Sequence, residues 1–159
     1  MSLGLKIVPT APLPTWGAVR QHIDARNLRL RLLGGEALKD GDRIELGAAY
    51  GFEGDELEPL HLFPSLSRER ALVPADWLDD LGQNLANRED VAAAWDRAGY
   101  YFTLESRSAP GGDDIPLVAH IASALADAVS GYVCVSTRTG FGLREGTYRP
   151  DEFRSAHHL

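Results

Sequence analysis

Cysteine is nearly absent from this sequence: Cys134 stands alone among 159 residues. A single thiol excludes a disulfide framework within the chain. Lysine is scarce as well, since only Lys6 and Lys39 occur among the sixteen basic residues. The arginine excess fits GC-rich codon usage better than anion recognition, because the arginines are scattered beside carboxylates. Long apolar runs are missing too. No stretch approaches the roughly 20 residues needed to cross a bilayer. The opening residues make too short an apolar stretch for a signal peptide, and Lys6 interrupts it. A cytoplasmic protein without a membrane span is the expectation. Positive charge is also in short supply: 16 Lys and Arg face 23 Asp and Glu, a net charge of −7. That balance weighs against nucleic acid and anionic membranes as partners.

What is present is a core. The chain is 44% hydrophobic, too apolar for a disordered segment and long enough to form one folded domain. Residues 1–14 read as an extended lead-in, because Pro9, Pro12 and Pro14 each bias the preceding residue away from helix. Thr15 reads as an N-cap, with Trp16, Val19 and Ile23 on one face of a helix ending near Asn27. Residues 28–32 alternate as a half-buried strand does. So do residues 43–50, with Ile44, Leu46, Ala48 and Tyr50 on one side. Residues 51–58 read as an acidic turn, and Glu58–Phe63 as a third strand, placed at an edge by Pro59.

The middle of the chain reads as two helices. Trp77, Leu78, Leu81 and Leu85 carry the first; Asn87 with Asp90 resembles a capping box for the second, with Val91, Ala94, Trp95 and Ala98 on one face and Gly99 at its end. Residues 100–105 form a strand. A polar loop over 106–114 follows, with Asp113 or Asp114 as the next cap. A helix then bears Leu117, Ile121, Leu125 and Ala128, and Gly131 ends it. Tyr132–Ser136 is a buried strand, and residues 141–148 return as an edge strand. The predicted order is αβββ-αα-βαββ. This is an α+β single domain over 1–150, with an antiparallel or mixed sheet and helices packed mainly on one face. Residues 151–159 read as a loosely held polar tail.

Chemistry is thinly signposted. Cys134 lies between valines, where a thiol serves as a small buried hydrophobe rather than a nucleophile. None of the five histidines stands in an HExxH or similar spacing, so no metal site and no cofactor is expected. His120 shares the polar flank of its helix with Ser123 and Asp127, which makes His120 and Asp127 the candidate acid–base pair; helix spacing alone also accounts for the grouping. Glu53, Asp55 and Glu56 form an acidic hairpin turn without the ordered ligand spacing of a calcium loop. Ser136–Gly142 misses the RxxGxG/A spacing of a phosphate-cradling loop, since one residue separates Arg138 from Gly140 and no helix follows.

Two readings compete. The favoured one is a non-catalytic bacterial interaction protein, of inhibitor or immunity type, binding a protein partner. Its candidate binding residues are Glu53, Asp55, Glu56, Arg138 and Arg144. The alternative is an enzyme or small-ligand domain whose site assembles from the 107–114 loop, His120 and the 138–144 hairpin. Homodimer formation through the Tyr148 edge, or another strand, could accompany either.

Overall fold

Alternate side chains of a strand point to opposite faces of a sheet, and this molecule uses both. The computed structural model describes residues 3–26, 28, 30–34, 38–53, 60–66, 87–106, 115–135 and 143–159. Within them the order is β1 (Leu3–Val8), α1 (Trp16–Asp24), β2 (Arg31–Leu33), β3 (Tyr50–Glu53), β4 (Leu60–Leu66), α2 (Arg88–Ala98), β5 (Tyr100–Ser106), α3 (Ile115–Val129), β6 (Tyr132–Val135), β7 (Gly146–Tyr148) and α4 (Pro150–Ala156). The strands form one sheet in the order β2-β3-β4-β5-β1-β6-β7, and every neighbouring pair is antiparallel. The fold is α+β, as expected.

The larger core lies on one face. Leu5 and Ile7 of β1, Phe102 and Leu104 of β5, Val133 and Val135 of β6 and Phe52 of β3 meet the apolar sides of α1, α3 and α4 there. The opposite face carries a smaller cluster, in which Val8, Tyr101 and Cys134 pack under Val91, Ala94 and Trp95 of α2. Three of the four described helices therefore share a face. Strands β5 and β6 flank β1 and both run antiparallel to it, so α3 carries the chain across β1 in a crossover.

Several local readings hold. Thr15 caps α1 by accepting the Ala18 N–H at 3.2 Å, and Trp16, Val19 and Ile23 are its buried side. Gly99 ends α2 with a φ of 75°, where a side chain would be strained. Gly131 follows α3 so closely against β1 that a Cβ there would stand 2.6 Å from the Val8 carbonyl oxygen. Cys134 is buried, and burial pushes its thiol pKa up, so it behaves as core.

Other readings need correction. The stretch taken as a lead-in contains β1, the strand between β5 and β6. The prolines begin at Pro9, one residue after the strand stops, so they shape the connection to α1 and leave the strand intact. Residues 43–49 are not a strand. Trp16 N–H donates to the Asp42 carbonyl, and Ile44 N–H to the Pro14 carbonyl, which ties this segment to the β1–α1 connection. Leu46, expected inside, is exposed. The strand begins at Tyr50, the last residue of the predicted 43–50 strand, and runs on to Glu53 through residues expected in a turn. Strand β4 is interior, between β3 and β5, and holds a proline of its own. Pro64 is tolerated because its register lies beyond the end of β3, where its carbonyl accepts the Gly47 N–H.

The C-terminal residues also depart from a loose tail. Pro150 opens α4, Glu152 reaches back to accept the Arg149 N–H at 2.9 Å, and Phe153 is fully buried. Asn87 does not cap its own helix with its side chain. Its amide donates to the Thr147 carbonyl at 2.8 Å and to Glu152 at 2.9 Å, which fastens the start of α2 to β7 and α4. That bond occupies a backbone acceptor of edge strand β7, the edge considered above for dimer formation. The predicted helix over Trp77–Leu85, residues 107–114 of the polar loop with its caps, and residues 136–142 lie outside the described residues, while Ser106 ends β5.

No helix among the described residues is long and apolar enough to cross a membrane.

Candidate functional site

Helix α2 presents two adjacent stripes. Val91, Ala94 and Trp95 point at the sheet, with Trp95 stacked on Tyr101 at a ring separation of 4.5 Å. Beside them Asp90, Ala93, Ala94, Arg97 and Ala98 follow the i, i+3, i+4, i+7, i+8 rule of a single helix face. In this second stripe Ala94 also packs into the smaller core, while Asp90, Ala93 and Arg97 are exposed. The stripe walls an open cleft of about 470 Å³, lined on its other side by Thr10, Ala11, Pro12 and Tyr132. The space exists because the α2 wall is mostly methyl groups.

The opposite wall is held firmly. Thr10 and Ala11 both donate their N–H groups to the Val129 carbonyl, at 3.2 and 3.1 Å. Tyr100 donates its hydroxyl to the Ala11 carbonyl at 2.8 Å, and burial pushes the Tyr100 pKa up, so it remains a donor. Pro12 fixes its own φ. The cleft is therefore preformed, and its volume falls within the range of ligand-binding clefts.

Its polar groups are few and separated. Asp90, in the first turn of α2, and Arg97, in the last, are both exposed. Neither makes an ion pair among the described residues. Tyr132, the first residue of β6, also lines the cleft. Partial burial raises its pKa first, with the Asp90 carboxylate adding to the rise, so its hydroxyl is protonated at neutral pH. The cleft thus offers an anion, a cation, a phenol and small apolar walls. Among the described residues no cluster of three or more metal-ligating side chains occurs.

The residues singled out from the sequence are placed elsewhere. Asp127 sits between two arginines: Arg154 donates to both carboxylate oxygens at 2.8 and 2.9 Å, and Arg26 also donates to Asp127. Arg26 further donates to the buried Ser123 hydroxyl at 3.2 Å and to the His22 carbonyl at 2.7 Å. Asp127 therefore clamps the end of α1, α3 and α4 together, and its partners are arginines rather than His120. His120 remains on the flank of α3 and is not among the residues lining the cleft. Partial burial lowers its pKa, and the Arg26 charge lowers it further. Glu53 pairs across β2 and β3 with Arg31 at 3.2 Å. The exposed Arg144 offers its backbone N–H to His157 Nε2 at 3.0 Å. Asp55, Glu56, Arg138 and the 107–114 loop lie outside the described residues.

The cleft residues escaped the sequence reading. In the sequence Asp90 reads as the partner of Asn87 in a capping box and Tyr132 as part of a strand, which it is. The available signal was Asp90 and Arg97 seven residues apart around the Ala92-Ala93-Ala94 run. No protein-family model, curated protein or solved structure matches the chain.

Proposed function

We propose that this chain is a non-catalytic interaction protein, of the bacterial inhibitor or immunity type, that binds a protein partner in the cytoplasm through the cleft beside α2. The observation that carries the reading is the cleft: a preformed recess with small apolar walls and one charge of each sign at its ends. Such a recess suits a projecting segment of another protein, because fixed walls reduce the ordering cost of binding. The net charge of −7 favours a partner of basic character by speeding encounter.

The test begins with a partner recovered at physiological salt from the cells that make this chain, and then purified. It is titrated against the wild type and against Ala93→Phe. Ala93 is exposed and lines the cleft, so a phenyl ring there fills the recess without entering the core. Binding should weaken roughly tenfold or more, as when a central interface pocket is blocked. Equal binding by both proteins, or no partner that binds the purified chain, overturns the reading.

A further inference from the structure

Resting on that reading, we propose that the segment received by the cleft carries a cationic side chain and a carboxylate two residues apart, in one of the two chain orders, the cation meeting Asp90 and the carboxylate Arg97. Both charges of the cleft are exposed. They stand at the two ends of one helix stripe, with Ala93, Ala94 and Ala98 between and beside them. Seven residues of helix separate Asp90 from Arg97 by about 10 Å along the axis. An extended chain rises about 3.3 Å per residue and directs side chains i and i+2 to one side, about 7 Å apart. The long arginine side chain covers the difference. The methyl walls let the backbone of such a segment approach α2 closely, and the Tyr132 hydroxyl offers it a hydrogen bond at the Asp90 end.

Alternative ligands fit less well. A dianion would gain from Arg97 and be repelled by Asp90. A purely cationic group would meet the reverse conflict. A wholly apolar occupant would leave both charges to be desolvated without partners, which costs binding energy. An amphoteric segment satisfies both ends at once.

Three blocked pentapeptides test this on the full chain: acetyl-Ala-Lys-Ala-Glu-Ala-amide, its charge-reversed order with Glu first, and a control with Gln at both positions. Each is titrated while the amide resonances of Ala93, Ala94 and Ala98 are followed. One order of charges is expected to shift those resonances and to bind about fivefold tighter than the Gln control, the gain of a pair of exposed ion pairs at low salt. Asp90→Asn and Arg97→Gln should each remove most of that gain. The proposal is overturned if neither charged peptide exceeds the control, or if the shifts lie away from the cleft. If the peptides fail while Ala93→Phe still weakens the purified partner, only the charge pattern falls. If the partner ignores Ala93→Phe, the interaction reading falls with it.

Discussion

On one face of the sheet Phe52, Ile7, Phe102 and Leu104 interlock beneath three helices. On the other, α2 anchors through Trp95 and Val91 and then turns a row of alanines toward the β1–α1 connection. Both faces belong to the same strands, so the contrast comes from side-chain size and from how each helix is fastened. Large side chains fill the first face, and the Asp127 clamp ties its helices together at their polar ends. Among the described residues the second face has one aromatic stack, and Asn87 holds α2 at its N-terminal end. Space is left where methyl groups replace larger side chains. The first face accounts for stability; the second offers the recess.

The sharpest way to break this contrast is Phe153→Ala. Phe153 is fully buried in the larger core, and its truncation should cost about 3–5 kcal/mol in urea unfolding. A loss below about 1 kcal/mol would mean that α4 is a loose tail after all. Asn87→Ala comes next. It removes the amide bonds to Thr147 and Glu152, and about 1–3 kcal/mol should be lost. Asp127→Ala leaves Arg26 and Arg154 without their shared carboxylate. These groups are only partly shielded, so about 1–2 kcal/mol is expected. A larger loss for Asp127 than for Phe153 would reverse the view that apolar packing, rather than the clamp, dominates the first face.

Acid provides a smaller perturbation of the same face. His157 accepts the Arg144 N–H at Nε2, so its Nδ1 carries the proton that reaches the Phe153 carbonyl at 2.9 Å. Partial burial lowers its pKa, partly opposed by that carbonyl bond and reinforced by Arg144 and His158. His120 is lowered as well. For a histidine depressed in the folded state, the unfolded chain binds the proton more readily. The stabilisation is therefore fully present above the unfolded value, near 6.5, and declines as pH falls from there through the folded value. Urea midpoints measured from pH 8 to pH 5 should fall, and His157→Gln should flatten the decline. An unchanged slope in that variant would remove His157 from the account. The smallest stability effect is expected for Ala93→Phe, within about 0.5 kcal/mol of the wild type, checked by the same unfolding experiment.

Much of the architecture was legible because local signals and tertiary packing agree there. The Thr15 cap, the Trp16–Val19–Ile23 stripe, Gly99 and the buried Cys134 strand are such places. Strand β1 was obscured because three prolines crowd its C-terminal side. Residues 43–49 alternate convincingly, yet hydrogen bonds to the β1–α1 connection draw them away from the sheet. In α4, Phe153 is the only large apolar residue of the helix, too little to produce a periodic pattern. The candidate site was harder still. Asp90, Arg97 and Tyr132 acquire their common environment only when α2 lies against the end of β1, and alanines give no chemical signal in a sequence. His120 and Asp127 attracted attention through helix spacing, which correctly placed Asp127 on a polar flank but could not foresee Arg26 and Arg154 from other elements.

Amide hydrogen exchange of the full chain, with and without its purified partner, tests the division between the two faces most directly. The account predicts new protection at Thr10 and Ala11 and along α2, with α1 and α3 unchanged. Protection confined to the exposed flank of α3 around His120, with none beside α2, would contradict it.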